Sequence, residues 1–145
     1  MINPKLQNLI ADLGTAKTWF LKIETFDWVS PSGKATASVD VTELVAAICR
    51  RKVNITTGHT LIQSSDVKHI EATREPNLDY ALSLPAARLT VPVIFVEIPD
   101  GTQLLVDGTH RFLTLYYQGI EIVPFIIVRY PDWLCYATVQ GDLTA

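Results

Sequence analysis

Apolar and polar positions in the first third of the chain predict a helix, a hairpin and a second helix. The apolar spacing over 4–13 is typical of a short amphipathic helix. Aromatic and β-branched residues over 18–29, followed by a Ser-Pro-Ser-Gly turn and the run 34–39, predict a β-hairpin. Asp40 then stands where an N-cap is expected, ahead of a helix over 41–51.

The middle of the chain is less regular. We expect a second extended pair over 53–70, turning near Thr57 and Gly58. The stretch 74–88 holds two prolines and no clear period, and so predicts a loop that can include a helical turn.

The last third has the strongest pattern. A β-branched run over 91–98 precedes Asp100-Gly101, a pair typical of hairpin turns, and a return strand over 102–106. The remaining predictions are a helix over 109–118 closed by Gly119, a buried strand over 123–129, and a short helix beginning at Pro131. Together these elements predict an α+β fold, a small mixed sheet with packed helices, in one domain over 1–145 with a distinct N-terminal part over 1–70.

Composition and charge narrow the functional classes. Hydrophobic residues make up 48% of the 145 positions, which is enough to build a core. The formal net charge of −3 gives no general attraction for DNA, so DNA is a less expected partner. No apolar run has the length of a membrane span and no segment resembles a signal peptide, so we expect a cytoplasmic protein without a membrane partner.

Metal and disulfide sites are not expected. Cys49 and Cys135 belong to no CxxC pair, and His59 and His69 lack a third ligand at metal spacing. The basic run Arg50-Arg51-Lys52 follows a predicted helix, where the helix dipole favours cations, and this explanation competes with a nucleic-acid role.

The segment from Asp107 to Arg111 carries the candidate chemistry. It lies between a strand and a helix, where the first backbone N–H groups of the helix lack intrahelical partners and can hold an anion. Gly108 permits close approach, Thr109 can cap the helix or donate its hydroxyl, and Arg111 offers a fork for phosphate oxygens. His110 can move a proton near neutral pH, and Asp107 can orient a water or a phosphate-held magnesium ion.

This segment also carries a family resemblance. The run from Leu104 to Arg111, the helix that follows, and Gly119-Ile-Glu-Ile-Val-Pro-Phe125 with its strand resemble the ParB N-terminal and sulfiredoxin pattern over about 75–132. The resemblance implies that Gly108, Thr109, His110 and Arg111 hold the phosphates of ATP or CTP. Residues before the paired strands also line the pocket in that group, which adds Arg74, Glu75 and Asn77.

Two departures narrow what the resemblance implies. Thr109 stands where sulfiredoxins have their catalytic cysteine, so sulfinic acid reduction is not expected. The chain ends soon after the matching segment, without the DNA-binding and dimerisation regions of full-length ParB proteins, so chromosome partition is not expected. Phe125 also replaces the small residue that usually follows the proline.

We therefore expect a nucleotide-binding protein that uses ATP or CTP with Mg²⁺, as a phosphotransferase or an NTPase. Asp107, His110 and Arg111 are the expected catalytic residues, and the acceptor is a small molecule or a protein. Glu71, Glu75 and Asp79 are further carboxylate candidates.

The alternative is a non-catalytic module of phage or plasmid type that binds a protein or nucleic-acid partner. In a purely structural interpretation of the same turn, Asp107 and Thr109 serve only the backbone, His110 is exposed, and Arg111 pairs with a carboxylate.

Overall fold

The computed structural model of the protein describes residues 25–74 and 91–143. The predicted helix over 4–13, the start of the first hairpin strand, and the candidates Glu75, Asn77 and Asp79 lie outside these residues. In chain order the described elements are β1 (Thr25–Val29), β2 (Thr36–Asp40), α1 (Val41–Cys49), β3 (Ile55–Leu61), α2 (Ser64–Arg74), β4 (Val93–Glu97), β5 (Gln103–Asp107), α3 (Thr109–Tyr117), β6 (Ile122–Val128), a 3-10 helix (Asp132–Tyr136) and β7 (Ala137–Gln140).

The described strands form two small sheets. In the first, β2 lies between β1 and β7 with both pairings antiparallel, which confirms the predicted hairpin over its described part. In the second, the order is β3-β6-β4-β5; β4 runs parallel to β6 and the other pairs are antiparallel. The described chain is therefore α+β, as its element pattern predicts, but it has one mixed and one antiparallel sheet where a single mixed sheet was expected.

Successive side chains of the second sheet enter two different cores. Ile94 and Ile126 pack in a cluster with α1, β2 and the buried Trp133. Val93, the neighbour of Ile94 in β4, packs together with Val123 in a second cluster that also contains side chains of α2 and α3. Helix α3, which begins at the candidate turn, is thus anchored on one face of a sheet whose other face is also covered.

Helix α1 forms as the sequence predicts. The Asp40 carboxylate accepts a hydrogen bond from the Glu43 backbone N–H at 3.0 Å, which caps the helix. Its large apolar side chains Leu44 and Ile48 are fully buried. Arg50, Arg51 and Lys52 follow the helix end and are exposed.

The predicted extended pair over 53–70 is wrong. Only β3 is extended, and the chain then enters α2, which also contains the carboxylate candidate Glu71. Gly58 is not a turn residue, because it pairs with Phe125 inside the sheet. A Cβ at Gly58 would lie 3.0 Å from the Phe125 ring, so the missing side chain makes room for that larger aromatic residue.

The last third of the described chain follows its prediction closely. Asp100 accepts a hydrogen bond from the Thr102 backbone N–H at 2.8 Å, and Gly101 has a φ of 90°, so this pair turns β4 into β5. Gly119 has a φ of 76° just beyond α3, as expected of a left-handed cap. The short terminal helix is of the 3-10 type and carries Trp133 into the core.

Two absences in the described residues bear on earlier expectations. Neither described cysteine is in a disulfide. Among residues 25–74 and 91–143, no helix has the length and apolar character needed to span a bilayer.

Candidate anion site at the start of helix α3

The candidate turn starts at an irregularity in the sheet. Phe95 pairs with Leu105, but its neighbour Ile94 pairs with Asp107, so Val106 is an extra residue in β5. Such a bulge bends a strand and redirects the residues beside it. Asp107, the last residue of β5, is 8% exposed and therefore enters the turn as a buried carboxylate.

Gly108 is required here for two reasons. Its φ of 100° lies in the left-handed region, and a Cβ at this position would lie 2.6 Å from Cγ1 of Val93 and 3.0 Å from an Arg111 nitrogen. The sequence interpretation gave this space to a ligand. In the structure this space is occupied by the side chains of Val93 and Arg111. The close approach that Gly108 permits is therefore a contact between parts of the protein itself.

Arg111 points inward and is 4% exposed. One guanidinium nitrogen, Nη2, lies 3.3 Å from Asp107 Oδ2 and 3.3 Å from the Pro92 carbonyl oxygen. Its Nε is buried without a hydrogen-bond partner. Arg111 therefore pairs with a carboxylate, as the purely structural interpretation of the turn expects. This pairing leaves the Nε donor of Arg111 without a hydrogen bond.

The helix start has no side-chain cap. Gly108 occupies the N-cap position, so Thr109 is the first helical residue and not the cap that the sequence suggested. The Gly108 carbonyl accepts the first intrahelical hydrogen bond, from Phe112 N–H at 2.8 Å. The N–H groups of the first turn precede that bond, and the positive end of the helix dipole lies among them.

His110 is half-buried beside this turn, not exposed as the structural interpretation has it. Burial, and to a lesser extent the positive charge of Arg111, lowers the pKa of its imidazole from the ordinary value. Its backbone carbonyl accepts a hydrogen bond from the fully buried Thr114 hydroxyl at 2.8 Å. Burial of the ring therefore favours the neutral imidazole, which is the form that can accept a proton.

Glu71 does not join the turn. Its carboxylate accepts a hydrogen bond from the hydroxyl of Tyr117, which is the last residue of α3. Nine helical residues span about 12 Å. Glu71 therefore connects α2 to the far end of α3. Among the carboxylate candidates that the structure describes, Asp107 is the one that lies at the turn.

The described residues also form an open cleft elsewhere, which sequence reasoning did not anticipate. It has a volume of about 520 Å³ and contains two carboxylates, Asp40 and Glu43. Asp40 was recognisable from sequence only as a helix cap, because much of the cleft is formed by residues 135–138, which are distant in the chain. The lining residues are Thr25, Ser38, Asp40, Glu43, Cys135, Tyr136, Ala137 and Thr138.

Metal ligation by the protein alone has no support in the described part of the chain, where no group of three or more His, Cys, Asp or Glu side chains is placed to hold an ion.

No protein-family model, curated protein or solved structure matches this chain significantly.

Proposed function

We propose that this protein binds the phosphate groups of a nucleoside triphosphate at the turn from Asp107 to Arg111, in a ParB/sulfiredoxin-like arrangement, and transfers or hydrolyses the terminal phosphate. The observation that carries the proposal is the Arg111 guanidinium. It is a buried cation with an unsatisfied Nε at the start of a helix.

The geometry of Arg111 supports an oxyanion ligand. Charge-assisted N–H···O bonds are usually about 2.7–2.9 Å long. Both contacts of Nη2 are 3.3 Å, and both use the same nitrogen. A phosphate presents several oxygens to a planar guanidinium, so it would satisfy donors that Asp107 and Pro92 leave weakly bonded.

The start of α3 supports the same class of ligand. No side chain caps the start of α3, and the positive end of the helix dipole lies there. A negative charge is stabilised at that end of a helix. This supports the proposed phosphate binding by Gly108, Thr109, His110 and Arg111.

Magnesium fits this site as a companion of the nucleotide. Mg²⁺ commonly binds through one or two carboxylates together with phosphate oxygens and water. Asp107 is the described carboxylate at the turn, and it would contribute one oxygen while the phosphates supply others. The ion, when bound, neutralises charge on the phosphates.

The proposed chemistry uses two side chains. An acceptor oxygen, from water or a hydroxyl, bonds to the terminal phosphorus while the bond from phosphorus to the bridging oxygen breaks. The neutral His110 imidazole takes the proton released by the acceptor. Arg111 stabilises the charge on the transferring group.

The test is a binding panel of ATP, CTP, GTP and their diphosphates, with and without Mg²⁺, followed by calorimetry and thermal shift. We expect one triphosphate to stabilise the wild type and this effect to be lost in Arg111→Ala. Arg111→Lys keeps the positive charge but loses the planar set of guanidinium donors. It therefore separates the contribution of charge to binding from the contribution of hydrogen-bond geometry. Arg129→Ala is the matched control, because Arg129 is an exposed arginine whose partner is Glu97.

The proposal is wrong if no nucleotide binds the wild type, or if folded Arg111→Ala retains both affinity and turnover. Since removing Arg111 leaves the Asp107 carboxylate buried without its partner, the circular dichroism spectrum of each variant is recorded first.

A non-catalytic module is the second candidate function. It is favoured by the pairing of Asp107 with Arg111, which turns the candidate catalytic carboxylate away from solvent. Binding of a protein or nucleic-acid partner by a wild type that binds no nucleotide would select this second function, and nucleotide binding without phosphate release in a turnover assay would indicate a switch. Binding with release would select the first.

A further inference from the structure

Asp107 and Arg111 form a buried ion pair with poor geometry. The two residues are separated by one turn of chain, and Arg111 reaches Asp107 with Nη2 alone, at 3.3 Å. An arginine fork and a carboxylate in their best arrangement share two parallel hydrogen bonds. Here the same nitrogen is shared with the Pro92 carbonyl, so the pair is neither bidentate nor short.

The backbone around the two residues determines the imperfect geometry of this ion pair. The bulge at Val106 sets the direction of Asp107, and the left-handed Gly108 brings the start of α3 against Val93. In the folded protein the carboxylate therefore meets the guanidinium through Nη2 alone, and Arg111 Nε has no hydrogen-bond partner.

We propose that Asp107 is an internal competitor for Arg111, so that it lowers the affinity of the site for anions and thereby sets its charge selectivity. This inference rests on the proposed phosphate site. A phosphate that engages Arg111 competes with the carboxylate for the guanidinium, and the negative charge of Asp107 then faces the ligand. Anions of higher charge meet the greater repulsion, and a divalent cation bound with the nucleotide relieves it.

The experiment measures binding of inorganic phosphate and of ATP in EDTA, and of ATP with Mg²⁺, to the wild type and three variants. Asp107→Asn keeps the side-chain shape and removes the charge. Asp107→Glu keeps the charge and therefore keeps the competitor. Asp100→Asn removes one negative charge from an exposed turn on another part of the molecule, and so controls for net charge.

We expect Asp107→Asn to bind metal-free ATP more tightly than the wild type, by on the order of tenfold, which is within the usual range of coupling between contacting residues. We expect the gain from adding Mg²⁺ to shrink in this variant. Asp107→Glu and Asp100→Asn should bind metal-free ATP with nearly wild-type affinity.

The outcomes separate the inference from the function on which it rests. If the wild type binds nucleotide and Asp107→Asn binds it equally or less tightly without metal, the competitor role is overturned and the phosphate site stands. If neither protein binds any anion with or without Mg²⁺, both are overturned. Should Asp107→Asn fail to fold, Asp107→Ser takes its place, with the same expected gain and the same criterion.

Discussion

The indole N–H of Trp133 donates a hydrogen bond to the backbone carbonyl of Glu97 at 2.7 Å, and the Trp133 side chain is completely buried. This contact joins the 3-10 helix to the end of β4. It satisfies the polar atom of the aromatic ring inside the core while the rest of the ring packs against apolar neighbours.

Replacing Trp133 should therefore destabilise the protein strongly. Trp133→Phe removes the donor and some volume, and we expect a loss of about 2 kcal/mol in the free energy of unfolding. Trp133→Ala should cost about 3–5 kcal/mol. Urea unfolding measures both, with Trp28→Phe as a control at a half-buried tryptophan. Equal losses in the two phenylalanine variants would contradict the importance of the hydrogen bond.

Gly108→Ala should be much more destabilising than the same change at Gly119. Both glycines have a positive φ, but a Cβ at Gly119 meets nothing within 4 Å, whereas one at Gly108 meets Val93 at 2.6 Å. We expect a loss of about 1–2 kcal/mol at Gly119 from the backbone conformation alone. Overpacking at Gly108 adds about 1–3 kcal/mol to that.

Chemical denaturation of both variants checks this difference. Equal losses would mean that Val93 moves aside at no expense and that Gly108 is needed only for its conformation. A spare cavity near Val93 would be the physical reason for that result.

Elements with a strong local signal were predictable from the sequence. The Asp100-Gly101 turn and the cap at Gly119 depend on backbone conformations that few residues adopt, so their residue types identify them. Strand β4 was similarly clear because its β-branched run is buried on both faces.

Helix α2 was not predictable in the same way. In the described part of its surface only Val67 and Ile70 are buried, so its apolar stripe is too narrow to give a clear helical period. Gly58 reinforced the error, because a glycine in a polar stretch resembles a turn. Its actual role, space for Phe125, depends on a strand more than sixty positions away and has no local signal.

The position of the candidate turn was predictable, but the direction of its side chains was not. The sequence places Arg111 in the first helical turn, from which an arginine can point outward or inward. The four-residue spacing from Asp107 was the signal for the inward pair. The shared contact with the Pro92 carbonyl depends on tertiary structure alone.

Stability should fall on mild acidification because of His110. Burial, followed by the Arg111 charge, lowers the pKa of His110 below its ordinary value of 6.5. The unfolded chain then binds this proton more readily than the folded protein, so the contribution is fully present above the unfolded pKa and is lost as pH falls through it toward the folded pKa.

Urea unfolding at pH 7.5 and at pH 5.5 measures this effect. We expect the decrease between the two values to be smaller in His110→Gln than in the wild type. His59→Gln is the matched control, because His59 is exposed on β3. An unchanged decrease in His110→Gln would show that other groups cause the acid sensitivity.

Phosphate bound at the start of α3 should raise the pKa of His110. A nearby anion stabilises the protonated imidazole and so opposes the effects of burial and of Arg111. Nuclear magnetic resonance titration of the three histidines, with and without saturating inorganic phosphate, measures the change, and His110→Gln assigns the signal. If phosphate binds and the His110 titration curve does not move, the anion lies elsewhere on the protein, since a charge within a few ångströms of a half-buried imidazole cannot leave its proton affinity unchanged.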